Sequence, residues 1–180
     1  MVKDKTVQFV CFETKLGHEQ FIAQWELYTR SVNSDVDVTL QQSEKNGLFK
    51  YIAQHRCPDG EFKFVFAKAS RTSRTPEVEI KIKQAGGYSI LQLERKNEVH
   101  SGESKVFAFI SSPQADLTIY RQLSPQSKLN IYEAYYENCQ YAYILEYFVH
   151  NKATLDLVAE LKKNEAVDIG VYKECMPAAV

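Results

Sequence analysis

The sequence lacks any uncharged apolar run near the roughly 18–20 residues that a membrane helix needs, so no membrane partner is expected. It has no Gly-rich phosphate loop, no Gly-x-Ser-x-Gly elbow and no His-Glu-x-x-His helix. Those absences speak against nucleotide-dependent chemistry, serine hydrolysis and zinc proteolysis, and no motif implies a cofactor. Cysteine is sparse. Cys11, Cys57, Cys139 and Cys175 stand alone, without the short spacing of a zinc or redox pair, so no metal ligand set is read from them. They read as small core hydrophobes of a reducing compartment. Charge of either sign is not in excess: the net value over 180 residues is −1, which recruits neither nucleic acid nor an anionic membrane. Basic residues are dispersed and do not interleave with tyrosines, so an RNA-binding sheet is not expected. Met1 to Lys5 lead into a strand with no apolar signal core, and the expected location is cytoplasmic.

What is present is an order of elements that runs twice. Residues 6–93 read as strand, helix, strand, strand, helix, strand, and residues 105–175 repeat that order in less space. In the first copy Val7, Phe9 and Cys11 alternate with Gln8, Val10 and Phe12, the pattern of a strand buried on both faces. A helix over residues 17–30 carries Phe21, Ile22, Trp25 and Tyr28 on one stripe. Val36, Val38 and Leu40 mark a second strand. Asn46-Gly47 is a hairpin signal, and Phe49, Tyr51, Ala53 and His55 share one face of a third strand. Pro58 to Glu61 open a second helix, favoured over the strand that the Phe62-Lys63-Phe64-Val65-Phe66 alternation also allows. Val78, Ile80 and Ile82 begin a fourth strand, which runs through Gly86-Gly87, a mark of a bulge or close backbone approach.

Residues 94–104 are polar and turn-rich, and divide the chain into residues 1–95, a linker at 96–104, and residues 105–180. The second copy has a strand at 106–110, a short helix over 114–123 and a tyrosine-rich hairpin over 131–150. Asn151 caps its last helix, and Val167, Ile169 and Val171 mark the closing strand.

This doubled β-α-β-β-α-β order resembles a tandem ferredoxin-like protein. Through the strand Val78 to Tyr88 it resembles, more narrowly, the dimeric α+β barrel superfamily that includes antibiotic-biosynthesis monooxygenase-like domains. The resemblance implies an α+β fold of two ferredoxin-like repeats, their antiparallel sheets packed face to face into one barrel, as a monomer or a homodimer. It implies small-molecule binding or cofactor-independent oxygenation. Haem-degrading members use a Trp and a His on or near the second helix; residues 61–72 hold neither, so that role is not expected.

Within this frame His55 is the candidate general base, because its ordinary pKa is near neutral. Trp25, Tyr28 and Tyr51 are the candidate walls of a pocket for a small aromatic ligand. Each also has a plain structural reading: Trp25 as core, His55 as a hydrogen-bonded residue on an apolar face. The tyrosines of the hairpin read as cross-strand pairs, or else as a ligand platform or interface. Glu133 and Glu146 are acid/base candidates only if they point inward, and a solvated edge is the expectation. The competing functional class is a non-catalytic interaction or assembly module that uses the barrel as a scaffold.

Overall fold

The computed structural model describes residues 6–29, 37–45, 48–57, 80–96, 99–135, 137, 139–164 and 166–176. Among these, eight strands form: β1 (Thr6–Thr14), β2 (Asp37–Lys45), β3 (Tyr51–Cys57), β4 (Ile80–Gln92), β5 (Glu103–Ile110), β6 (Lys128–Ala134), β7 (Tyr143–His150) and β8 (Val167–Met176). Three helices accompany them: α1 (His18–Thr29), α2 (Leu117–Gln122) and α3 (Thr154–Leu161). Asp116 caps α2, its carboxylate accepting the Thr118 N–H at 3.0 Å. The Asn46-Gly47 turn and the helix expected after Pro58 lie outside the described residues.

The fold is α+β with antiparallel pairing throughout, as expected. The expectation of two ferredoxin-like repeats, their sheets packed face to face into one barrel, is corrected in its detail: the eight strands close by hydrogen bonding into a single barrel, in the order β1-β3-β2-β8-β5-β7-β6-β4, and not as two separate repeat sheets. β2 pairs with β8 and β4 with β6, so the strands that would be bare edges of two separate sheets are consumed by hydrogen bonding to each other. Closure removes the aggregation liability that open edges carry.

Pairing follows one register twice. Across β4-β1-β3-β2, Gly86 faces Phe9, Phe9 faces Gln54, and Gln54 faces Thr39. Across β8-β5-β7-β6, Gly170 faces Phe107, Phe107 faces Glu146, and Glu146 faces Asn130. Side-chain detail follows the same correspondence. Phe9 meets Tyr88 edge to face at 5.5 Å, and Phe107 meets Tyr172 edge to face at 5.5 Å. Tyr88 Oη donates to the Tyr141 carbonyl at 3.0 Å, and Tyr172 Oη donates to the Phe49 carbonyl at 2.8 Å. A pseudo-twofold axis therefore runs through the barrel, between Phe9 and Phe107, whose rings are 6.4 Å apart.

The barrel interior is filled by Phe9, Tyr88, Phe107, Tyr132 and Tyr172, among others. Phe49 belongs here, not on the Tyr51 face where strand alternation would put it. It precedes β3 and packs on Phe109 inside the barrel. Gly86 makes the close approach its sequence signals: a Cβ there would sit 3.0 Å from Tyr88 Cε2 and 3.1 Å from Cys139 Sγ. Two outer layers cover the barrel. α1 packs Phe21 and Trp25 on Val10, Phe12, Tyr51 and Ala53, while α2 and α3 pack Tyr120, Leu157 and Leu161 on Val106, Leu145 and Val149. No helix among the described residues is long and apolar enough to cross a membrane.

Candidate functional site

The strongest polar assembly lies inside the barrel, where sequence reasoning did not place it. Glu146, expected on a solvated edge, points inward and is fully buried. Lys105 Nζ lies 3.2 Å from its Oε2, Gln54 Nε2 donates to Oε2 at 3.0 Å, and Asn130 Nδ2 and Tyr132 Oη donate to Oε1 at 2.7 and 2.8 Å. Burial pushes the carboxyl up, but Lys105, Arg56 and these donors outweigh it and hold it below the ordinary range. Four donors saturate both oxygens, so the carboxylate has nothing left to offer a substrate. This network is a structural keystone.

The residues singled out by sequence lie on the outer face of the first half, beneath α1. Trp25 and His55 come together, with ring centroids 6.0 Å apart; both are buried. Phe12 lies 5.9 Å from the same indole. Tyr51 is on the same strand face as His55 but stacks on Phe21 at 3.8 Å, and its hydroxyl bonds His18 Nδ1 at 3.0 Å at the start of α1. Tyr28 falls in α1, and its side chain is outside what is described. Burial pushes the His55 imidazolium down to about 4, opposed by a hydrogen bond to the Gln8 backbone, so the ring is neutral at physiological pH.

Comparing the two halves position by position isolates what is special about this face. The second half has a row Val171–Val106–Tyr147–Leu129 across β8, β5, β7 and β6. The corresponding row of the first half is Gly87–Gln8–His55–Val38. The next row is Ile169–Ala108–Leu145–Ile131 in the second half and Ala85–Val10–Ala53–Leu40 in the first. Smaller residues stand at Gly87, His55, Val38, Ala85 and Ala53, and larger ones only at Gln8 and Val10. The balance is roughly eight fewer side-chain heavy atoms on these strands of the first half, and the indole of Trp25 covers the same face.

The same row is also polar where its counterpart is not. Tyr147 anchors its hydroxyl on the Tyr120 carbonyl at 2.8 Å, and Val106 needs no partner. In the first half Gln8 is only 3% exposed, and its Oε1 has no hydrogen-bond partner among the described residues. Sequence reasoning missed Gln8, since a lone polar residue within a buried strand carries no local signal. The recurrence of Gly-x-Tyr at 86–88 and 170–172 was the clue to the register that exposes it.

Open clefts lie elsewhere on the surface. One, of about 760 Å³, opens between α2 and α3, where Asn164 Nδ2 donates to Tyr120 Oη at 2.7 Å. Another, of about 650 Å³, lies between β2 and α3, where Ser104 Oγ donates to Asn151 at 2.8 Å. The Asn164 and Ser104 donors are thereby satisfied. Among the described residues no three His, Cys, Asp or Glu side chains converge as a metal site requires.

No protein-family model matches this sequence, and no curated protein matches it. Solved structures do share its fold. Chlorite dismutase from Candidatus Nitrospira defluvii in complex with imidazole is similar with a TM-score of 0.58 at 9% identity, over 96% of this chain and 92% of that one. A mutant of the same enzyme gives 0.59 at 9% identity, over 96% and 92%. A dye-decolorizing protein from V. cholerae gives 0.53 at 7% identity, over 94% and 93%. At these identities the likeness is one of fold alone.

Proposed function

We propose that this protein binds a small molecule on the outer face of its first half, beneath α1, against Trp25, Gln8 and His55. The observation that carries the reading is the row Gly87–Gln8–His55–Val38, which buries an amide with an unpartnered oxygen beside an imidazole, where its counterpart in the second half is largely apolar. The second half folds with Val106 in the matching place, so packing alone does not call for a buried amide there. Tyr51 belongs to the same α1-covered face, and Tyr28 stands on α1 as a further candidate. The likeness to a barrel solved in complex with imidazole supports a small ligand on this architecture.

In a catalytic form of the reading, His55 takes a proton from a phenol-like substrate, the opening step of cofactor-free oxygenation. An imidazolium near 4 makes His55 a weak base at neutral pH, so binding is the function the geometry supports best. The scaffold reading draws on Ile119 and Leu155, exposed on α2 and α3, which lie on the other half and do not compete for this face.

Trp25 is the sole tryptophan, so its emission reports on this face directly. A panel of small aromatic molecules is expected to shift that emission, and Gly87→Val, which restores the Val171 side chain at the matching place, is expected to weaken the response at least tenfold. Unchanged binding by Gly87→Val would move the site elsewhere.

A further inference from the structure

The cleft of about 760 Å³ between α2 and α3 lies on the half that the binding reading above does not use, and it holds a hydrogen-bond donor with no use in the fold. Asn164 sets this up. Its Oδ1 accepts the Ala166 N–H at 3.0 Å, so the amide turns its Nδ2 toward Tyr120 Oη, to which it donates at 2.7 Å. Tyr120 Oη is therefore the acceptor in that bond, and its own hydrogen points elsewhere. No acceptor for it exists among the described residues. The side chain is also held in place. Tyr120 is only 5% exposed, its ring packs in the core of the second half, and its backbone carbonyl accepts Tyr147 Oη at 2.8 Å. A fixed phenol hydrogen on the wall of a cleft is a place for an acceptor to arrive.

The rest of the cleft sets the body and the charge of what binds. Ile110, Leu123 and Leu161 give it an apolar lining, and Ile119 lines it while 56% exposed. Covering that side chain removes apolar surface from water and favours an apolar ligand body. Three charged groups line the cleft as well. Glu160 pairs with Lys163 at 2.7 Å, and Asp116 has no cationic partner among the described residues. The surplus is one negative charge, so an anion meets repulsion and no free cation. Asp116 is exposed and its carboxylate already accepts the Thr118 N–H at 3.0 Å, so water and the backbone serve it without a ligand.

We propose that the cleft between α2 and α3 binds an uncharged, largely apolar molecule bearing a carbonyl acceptor, of the ketone class, with Tyr120 Oη donating to the carbonyl oxygen and Ile119 covering the apolar body. This site is separate from the face beneath α1 and stands or falls without it.

The test uses the full chain and three probes of one shape: acetophenone, α-methylstyrene, in which a CH₂ group replaces the carbonyl oxygen, and benzoate. Binding is followed by amide NMR shifts at Ile119, Tyr120 and Asn164, which report this cleft, whereas Trp25 emission reports the other face. Acetophenone is expected to bind about fivefold more tightly than α-methylstyrene, as one neutral hydrogen bond provides, and benzoate is expected to leave these amides unmoved. Tyr120→Phe keeps the ring and removes the hydroxyl, and should bring acetophenone and α-methylstyrene within about twofold of each other. Ile119→Ser alters an exposed side chain and should weaken both probes while leaving their ratio unchanged. Equal affinities in the unaltered protein, or a preference for benzoate, overturn the ligand class. A preference for acetophenone that survives Tyr120→Phe overturns the role of Tyr120. Silence of all three probes at these amides overturns the cleft as a binding site, whatever Trp25 emission shows for the face beneath α1.

Discussion

Gln54 and Glu146 hold the same place on β3 and β7, and they are hydrogen bonded to each other, Gln54 Nε2 to Glu146 Oε2 at 3.0 Å. The pseudo-twofold axis passes through this contact. In a strictly symmetric barrel the two positions would carry the same residue, and two carboxylates would repel in a dry interior. Here one is an amide and the other an ion, and the ion is balanced by Lys105, whose counterpart in the first half is the apolar Val7.

This asymmetry predicts a strong coupling. Lys105→Met leaves Glu146 buried with a charge partner removed and is expected to cost about 3–5 kcal/mol. Glu146→Gln leaves Lys105 in the same position and should cost a similar amount. The double variant removes both charges at once and is expected to lose less than either single one. Urea unfolding of all four proteins in a double-mutant cycle measures this, and additive losses would show that the pair is not coupled.

The connection between the halves is tied down from the same network. Asn130 Oδ1 accepts the Glu94 and Arg95 N–H groups at 2.9 and 3.1 Å, while its Nδ2 donates to the Arg95 carbonyl and to Glu146, each at 2.7 Å. Arg95 pairs with Glu103 and lies over Phe148, and Gly102, at φ 81°, makes the turn into β5. Asn130→Ala is expected to destabilise by about 2–3 kcal/mol, because it leaves several buried groups unpaired. Hydrogen exchange at Glu94 and Arg95 should accelerate more than at Phe107 in the barrel wall. Uniform acceleration would mean that Asn130 is not a local staple.

How much of this could be read from the chain alone depends on what each residue needs in order to be placed. Trp25, on a helical stripe, and His55, alternating with Gln54, were legible because helix and strand periods are local. The inward Glu146 was not. In Tyr141 to Phe148 both faces are apolar, so alternation cannot tell inside from outside, and only pairing with β5 and β6 decides it. A barrel was expected from the resemblance, but the strand pairs that close it, β2 with β8 and β4 with β6, join residues far apart in sequence and were not legible. The buried amide of Gln8 needs one more step, the comparison of two registers, and no single strand contains it.

Burial of His55 gives stability a pH dependence of defined sign. Its ordinary value is 6.5 and its folded value is about 4, so between these the unfolded chain takes up a proton that the folded chain refuses. The contribution is complete above pH 6.5 and is lost as pH falls toward 4, amounting to about 3 kcal/mol. Glu146, also depressed on folding, adds its own loss only as pH falls below its ordinary 4.5, so the two windows are distinct. Urea midpoints between pH 7.5 and 5 should fall for the unaltered protein and fall much less for His55→Phe. A flat profile for the unaltered protein would contradict the burial of His55.

The last prediction asks whether Gln8 serves the fold at all. A buried amide oxygen without a partner costs about 1–3 kcal/mol, and residues that carry such a cost in a folded chain are commonly retained for function. If that holds here, Gln8→Val removes the cost and adds apolar packing, and the variant should be more stable by about 1 kcal/mol. The reciprocal change, Val106→Gln, places the same amide among Leu129, Tyr147 and Val171 under α2 and α3 and should destabilise by about 2–4 kcal/mol. Opposite signs at two positions sharing one register would separate a binding residue from a packing residue without knowledge of the ligand. Paired thermal and denaturant melts of the two variants supply the comparison. A loss of stability in Gln8→Val would assign the amide to the fold.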